Sequence, residues 1–197
     1  PCMADEDVVR DEFDPEFSSK HLLIEEDDTG ASVVRNPVSG FRKAYGKAVV
    51  KDGERRVWYF RIDNLGDPSP RSPGGNLGVG VCCARRFNRV DEGMEDGSKG
   101  VFWWSMREAK IHEFGDKEES EMRFEPSCII EVDVDLENPE SPSVTFSKDN
   151  VVAYRTKTCD NSIGPLRMFV CLDWKNQQVA LLPDSTTELV KCAARGE

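Results

Sequence analysis

The chain is a succession of short apolar segments separated by turn-forming residues, and this pattern limits its fold more than any other feature does. In the clearest segment, 128–135, apolar residues occupy alternate positions: Cys128, Ile130, Val132 and Val134. A period of two residues is typical of a β-strand with one buried face. Similar segments recur between residues 21 and 182, with Gly, Pro, Asn and Asp between them. Many short strands with such turns predict an all-β sandwich or barrel.

Other segments predict individual elements of this fold. Residues 57–62 are apolar on both faces, which suits a strand covered by a second sheet. The Asp52-Gly53 pair before them predicts a β-hairpin turn. Residues 102–106 and 110–114 predict two paired strands. One short C-terminal helix is predicted, over residues 186–194.

The length of the chain indicates its domain organisation, and its net charge disfavours some classes of partner. Its 197 residues suit one domain, and its net charge of −11 would repel nucleic acids and anionic membranes. We expect an acidic tail with a tag remnant at 1–12, a sandwich at 13–185 and a C-terminal segment at 186–197. The tail offers almost no apolar surface, so it is predicted to be dispensable for folding. A monomer is expected.

The seven cysteines predict a reducing environment. Their number is odd and their spacing does not repeat, so a complete set of disulfides is not expected. We predict free thiols and a cytoplasmic or nuclear protein that is not secreted. No stretch has the length of a membrane helix, and the acidic N-terminus differs from a signal peptide.

Residues with catalytic or metal-binding chemistry are few. The two histidines are His21 and His112, and a nucleophilic pair of His112 with Cys82 or Cys83 has no motif to support it. Adjacent cysteines point to opposite faces of a strand, which disfavours zinc. A solvated strand face explains Asp133 and Asp135 better than a calcium site does. We therefore expect a protein that is not an enzyme, with no cofactor and no metal.

The Trp103-Trp104 pair allows two interpretations. Trp104 is predicted to lie in the core, because aromatic side chains dominate buried area. Trp103 then faces the other way, where it either packs or forms an exposed anchor. An exposed tryptophan could stack on a sugar, so a lectin-like carbohydrate-binding sandwich is the alternative function.

The order of the segments resembles that of SPRY domains, the core of the B30.2 family. Residues 13–24 resemble the family's opening segment, in which Asp-Pro precedes a buried strand. The chain departs from the family pattern at Trp103, which replaces a small polar residue, and at Glu131, which replaces a glycine. The resemblance covers residues 13–182, and its other segments are 53–62, 77–81, 104–116, 128–135, 144–147 and 164–170.

The resemblance implies a concanavalin-like sandwich of two antiparallel sheets that binds a peptide or a folded protein through loops at one end. Such a module would recognise a substrate or act as a scaffold within a larger assembly. A loop rich in arginine, with one aromatic residue, suits an interface anchor. The predicted binding residues are Arg85, Arg86, Phe87, Asn88, Arg89, Trp103, Tyr154, Arg155 and Lys157.

Overall fold

The computed structural model describes residues 11–68, 76–84, 101–106, 110–113, 116–120, 122–156 and 165–183. The described residues form two antiparallel sheets of seven strands each. Sheet A consists of β1 (Phe13–Asp14), β4 (Arg42–Val50), β6 (Leu77–Cys83), β7 (Val101–Ser105), β8 (Lys110–Glu113), β9 (Asp116–Glu119) and β13 (Leu166–Leu172). Sheet B consists of β2 (Leu23–Glu26), β3 (Ser32–Arg35), β5 (Arg55–Asn64), β10 (Ile129–Asp135), β11 (Ser143–Lys148), β12 (Val151–Arg155) and β14 (Gln178–Leu181).

The strand order identifies the edges of each sheet. Sheet A runs β1-β4-β13-β6-β7-β8-β9, and sheet B runs β12-β11-β10-β5-β14-β3-β2. The predicted all-β sandwich is confirmed, as is the pairing of β7 with β8. The helix predicted at 186–194 lies outside the described residues. Within the part of the chain that is described, no helix has the length and apolar character needed to cross a membrane.

The main core lies between the facing sides of the two sheets. Trp58 of β5 and Trp104 of β7 are 1% and 0% exposed and belong to this core, as predicted. In β10 buried residues alternate with half-buried ones along the whole strand, which confirms the period read from the sequence. Truncating a buried tryptophan to alanine typically costs about 3–5 kcal/mol, so these two side chains are major determinants of stability.

Both sheets also bury side chains on their outward faces. On sheet B, Tyr59 of β5 packs with a second apolar cluster that includes Val33 and Leu182. On sheet A, Phe169 and Cys171 of β13 belong to a third cluster and are 1% and 0% exposed. The prediction that a second sheet covers residues 57–62 is confirmed for the face that carries Trp58, which packs in the core between the sheets, while the other face holds buried Tyr59 and half-buried Val57 and Arg61.

The hairpin predicted at Asp52-Gly53 is wrong. The turn is tight, with Gly53 at a φ of 84° and the Glu54 N–H donating to the Lys51 carbonyl at 3.0 Å. However, β4 lies in sheet A and β5 lies in sheet B, so the turn connects the sheets. The Gly53 N–H donates to the Leu136 carbonyl at 2.9 Å, which attaches the turn to the chain just after β10. The dipeptide predicts the turn but not the partner of the strand that follows.

Candidate binding surface at one end of the sandwich

Strand registers define one end of the sandwich, called here the upper end. In sheet A, Leu166 lies opposite both Val50 and Cys83, so the start of β13 and the ends of β4 and β6 lie side by side. In sheet B, Asp135 lies opposite both Arg55 and Ser143. The four-residue connection from β4 to β5 joins these two sets of strand ends. The described part of the upper end is therefore formed by the turn 51–54, the connection 136–142 and the last described residues of β6, β8 and β12, with Ala84 and Thr156 beyond them.

The upper end brings together chain segments that border most of the predicted binding residues. Ala84, which precedes the predicted loop Arg85–Arg89, donates its N–H to the Pro165 carbonyl at 2.7 Å. Thr156, which precedes Lys157, donates its N–H to the Val144 carbonyl at 2.9 Å. The loop 85–89 and Lys157 themselves lie outside the described residues. Their flanking residues nevertheless belong to one end of the fold, although 72 residues of chain lie between Ala84 and Lys157.

Tyr154 connects the two sheets beside the upper end. Its hydroxyl donates to Glu113 Oε2 at 2.6 Å, so the edge strand β12 of sheet B is joined to β8 of sheet A. Glu113 is 5% exposed and Tyr154 is half-buried. A short hydrogen bond to a carboxylate is among the stronger polar contacts in proteins. Tyr154 therefore positions β12, and its hydroxyl is already engaged within the domain.

Arg155, the next residue, is exposed on the outward face of sheet B. Its Nη2 donates to Ser143 Oγ at 3.1 Å, which orients the guanidinium along the upper margin of the sheet. Thr156 Oγ1 accepts from the Val144 N–H at 3.0 Å and fixes the end of the same strand. Of the predicted binding residues that the structure describes, Arg155 is the one with an exposed side chain.

Trp103 occupies a different position from the other predicted binding residues. It lies on the outward face of sheet A in the middle of β7, opposite Gly80 and His112, and it is 6% exposed. Its ring stacks on His112 with centroids 4.3 Å apart and an interplanar angle of 20°. A Cβ atom at Gly78 would overlap the Trp103 ring, so the glycine leaves room for it. The structure therefore shows the packed arrangement of Trp103 and not the exposed anchor.

Asp11 lies just before β1 and binds two side chains of β5, although it is not among the predicted functional residues. Its carboxylate is 3% exposed and accepts from the Trp58 indole N–H at 3.0 Å. Arg56 Nη2 approaches the same carboxylate at 2.8 Å. The next residue, Glu12, pairs with Lys47 at 2.6 Å and accepts from the Lys47 N–H through its carbonyl. Asp11 lies in an acidic run without periodicity, so no sequence signal distinguishes it from its neighbours.

The groups considered for catalysis or metal binding have other partners. His112 stacks on Trp103, and β7 lies between it and the strand that carries Cys82. Burial raises the pKa of Cys82 to about 12, which opposes formation of a nucleophilic thiolate. Arg55 binds Asp133 through two contacts of 3.0 and 2.8 Å. Among the described residues, no group of three or more His, Cys, Asp or Glu side chains is placed to hold a metal ion.

Four cysteines are described, and all four are free and buried: Cys82, Cys83, Cys128 and Cys171. For these residues the prediction of free thiols is confirmed. Burial also raises the pKa of Cys128, and it raises that of Cys171 to about 12. Cys128 packs as a small apolar side chain in the core, and Cys82 and Cys171 do so in the outward cluster on sheet A.

Comparison with known proteins identifies the fold. No protein-family model matches the chain, and no curated protein sequence matches it. Among solved structures, the SPRY domain of human HERC1 has 16% sequence identity, covers 87% of this chain and 98% of its own, and gives a TM-score of 0.64. The PSpry domain of TRIM65 has 14% identity, covers 87% and 88%, and gives 0.58. The carbohydrate recognition domain of Emp46p has 12% identity, covers 82% and 84%, and gives 0.54.

These likenesses extend along most of the chain and agree with the resemblance carried by the sequence motifs. Identities of this size establish the architecture, and both SPRY structures and the Emp46p domain share it. The chain therefore has the β-sandwich fold of SPRY domains.

Proposed function

We propose that this chain is a protein-binding module that recognises a peptide or protein partner at the upper end of the sandwich. The observation that carries the proposal is the meeting of distant segments there: the Ala84 N–H donates to the Pro165 carbonyl in sheet A, and Arg155 is exposed at the end of β12 in sheet B. A rigid scaffold that presents several connecting segments at one end is a common arrangement for recognition. The likeness to SPRY domains supports this function over catalysis.

The charges at the upper end support a protein partner in particular. The exposed turn 51–54 and the exposed residues 137–140 carry Asp52, Glu54, Glu137 and Glu140. The strand end at Arg155 is basic, and the sequence adds three arginines in Arg85–Arg89 and one lysine at 157. A surface with both signs of charge suits a partner that also carries both signs. A polyanion such as nucleic acid would be repelled by the acidic side.

A site-specific crosslinking experiment tests this proposal. The photoreactive residue p-benzoylphenylalanine replaces Arg155 at the upper end or, as the control, Val38, which is 49% exposed in the connection 36–41 at the opposite end. A protein captured through position 155 in cell extract is identified, produced in pure form and titrated against the unmodified chain. We expect Arg86→Ala, Phe87→Ala and Arg155→Ala each to weaken binding by about tenfold, while the melting temperature stays nearly unchanged.

Two results would contradict the proposal. One is equal crosslinking of the partner through Val38 and position 155, together with normal binding by all three alanine variants. The other is a strong signal from the chain on a glycan array when no protein is captured. The second result would favour the lectin-like alternative, for which the likeness to the Emp46p carbohydrate recognition domain provides a structural precedent.

A further inference from the structure

The edge strands of the two sheets differ in how they are protected. The edges within the described residues are β1 and β9 in sheet A and β12 and β2 in sheet B. Proteins commonly prevent edge strands from pairing with other chains by making them very short or by placing charges on them. Strand β1 has only two residues, β9 reads Asp-Lys-Glu-Glu, and β2 ends in two glutamates. Strand β12 reads Val-Val-Ala-Tyr-Arg, so its first four residues carry no charge.

Strand β12 also has the most exposed apolar side chains of the described residues. Val151 is 55% exposed and Val152 is 62% exposed, more than any other large apolar residue that the structure describes. Consecutive β-branched residues favour the extended conformation. An edge strand presents a row of backbone N–H and C=O groups to its open side, where another strand can pair with them. Apolar, β-branched and nearly uncharged, β12 has the properties of a strand that accepts an added partner.

The register of β12 places Val152 and Arg155 on the outward face of sheet B. Val152 lies opposite Ser147 and Arg155 lies opposite Thr145, with a bulge between these two pairs. The bulge compensates for the odd spacing, so that Val152 and Arg155 both face outward. Tyr154 points the other way, to Glu113, which anchors the inward side of the strand. An added strand would therefore meet one apolar group and one cation on the outward face.

We propose that β12 is a docking edge that accepts an acidic, extended segment of a partner protein as an additional strand of sheet B. Addition of a peptide strand to an open sheet edge is an established mode of recognition, in which backbone hydrogen bonds give affinity and side chains give selectivity. The chain carries a net charge of −11, yet the outward neighbours of Arg155 on β11 are the uncharged Ser143 and Thr145. A carboxylate opposite Arg155 gains a charge-assisted contact there, and an apolar residue covers Val152.

This docking edge is a second surface beside the segments of the upper end, and Arg155 belongs to both. Its test therefore relies mainly on Val152, which is distant from the loop Arg85–Arg89 in sequence. A lysine on an edge strand opposes pairing, so Val152→Lys is the central variant. Val38→Lys is the matched control, because Val38 is a comparably exposed valine in the connection between β3 and β4.

The probes are two fluorescent synthetic peptides of ten residues in which Thr and Val alternate. One residue of this sequence is replaced, by Glu in the first peptide and by Lys in the second. We expect the intact chain and Val38→Lys to bind the Glu peptide at least about tenfold more tightly than the Lys peptide, and Val152→Lys to lose this binding. Arg155→Glu should reverse the preference between the two peptides. Melting curves of all variants establish that they remain folded.

The proposal fails if the Glu peptide binds no better than the Lys peptide, or if Val152→Lys binds as the intact chain does. It also fails if sedimentation shows a dimer that Val152→Lys abolishes, because a second copy would then be the occupant of the edge. Normal peptide binding by Arg86→Ala and Phe87→Ala separates this edge from the upper-end loops. The two proposals are therefore distinguished by the loop variants and by Val152→Lys, and not by Arg155, which belongs to both surfaces.

Discussion

Asp11 provides the sharpest test of how the residues that precede β1 contribute to stability. Its buried carboxylate accepts from the Trp58 indole and from Arg56, and Trp58 is among the largest fully buried side chains. Replacing Asp11 by alanine leaves the indole N–H without this acceptor and Arg56 without this counter-ion. A buried donor that loses its partner costs about 1–3 kcal/mol. The Arg56 side chain is 28% exposed, so water can restore part of its solvation.

We therefore expect Asp11→Ala to lower the free energy of unfolding by about 2 kcal/mol, which for a domain of this size lowers the melting temperature by about 4–8 °C. Asp11→Asn keeps a carbonyl oxygen that can accept from Trp58 but removes the charge, so it should cost about half as much. Asp52→Ala, in an exposed turn, is the control and should change stability by less than about 0.5 kcal/mol. Thermal melts and urea titrations measure these differences.

Truncation of the N-terminus distinguishes residues 1–10 from Asp11 and Glu12, which contact β5 and β4. Deleting residues 1–10 should leave the melting temperature nearly unchanged, whereas deleting 1–12 removes the contacts of Asp11 and the pairing of Glu12 with Lys47. The lack of apolar residues predicts that all of 1–12 is dispensable for folding, whereas the contacts of Asp11 and Glu12 place the end of the dispensable segment at residue 10. If the two truncated proteins and Asp11→Ala all melt like the intact chain, the carboxylate has no stabilising role and this reasoning is refuted.

Three further predictions concern other parts of the sandwich. Tyr154→Phe removes the hydroxyl bonded to buried Glu113 and should cost about 1–3 kcal/mol in urea unfolding, whereas an unchanged midpoint would show that the contact between the sheets is not stabilising. Burial raises the pKa of Cys82 and of Cys171 to about 12, so very little reactive thiolate forms at pH 8. Both thiols should therefore react with iodoacetamide at least about a thousandfold more slowly in the folded chain than in urea. Rapid alkylation of the folded chain, measured by mass spectrometry, would contradict this. Burial disfavours the charged form of Asp27, but hydrogen bonds from Thr29 and Arg61 outweigh it and lower the pKa from 3.8 to about 2. Ionised Asp27 should contribute about 1 kcal/mol to the free energy of unfolding after solvent screening, a contribution that is complete above pH 4 and disappears as the pH falls to 2. Acid titrations of stability should show that Asp27→Asn lacks this part of the acid sensitivity.

The sequence predicts most of the fold because burial in a sandwich follows local alternation. The period of two in residues 128–135 yields β10 and its buried face directly. The pairing of β7 with β8 also follows, since adjacent strands with a short connection usually pair. By contrast, the Asp52-Gly53 turn specifies only a local reversal. Whether the next strand continues the same sheet or crosses to the other depends on long-range packing of the face that carries Trp58, which the turn residues do not encode.

The candidate binding surface is less predictable because it depends on which strand ends meet. Tyr154 and Arg155 are neighbours in the sequence and both are predicted binding residues, but alternation in β12 gives them opposite environments. One is bonded to Glu113 and the other is exposed. Asp11 shows the opposite error: its acidic neighbours predict a solvated tail, but its carboxylate is buried. Its buried contacts with Trp58 and Arg56 become visible only when β5 and the residues that precede β1 are brought together in three dimensions.

Trp103 illustrates why an unusual residue in a motif need not mark a binding site. The SPRY resemblance has a small polar residue at this position, which makes an additional tryptophan a natural candidate for recognition. In the structure, Gly78 and Gly80 lie two residues apart and therefore face outward together, and the Trp103 side chain packs over both of them. A Cβ atom at either glycine would overlap Trp103, so the glycines and the tryptophan form one packing unit. Because His112 stacks against the ring and leaves it 6% exposed, a ligand could reach Trp103 only by displacing packed side chains. The exposed Arg155 and the open edge of β12 require no such rearrangement, and recognition is therefore expected there first.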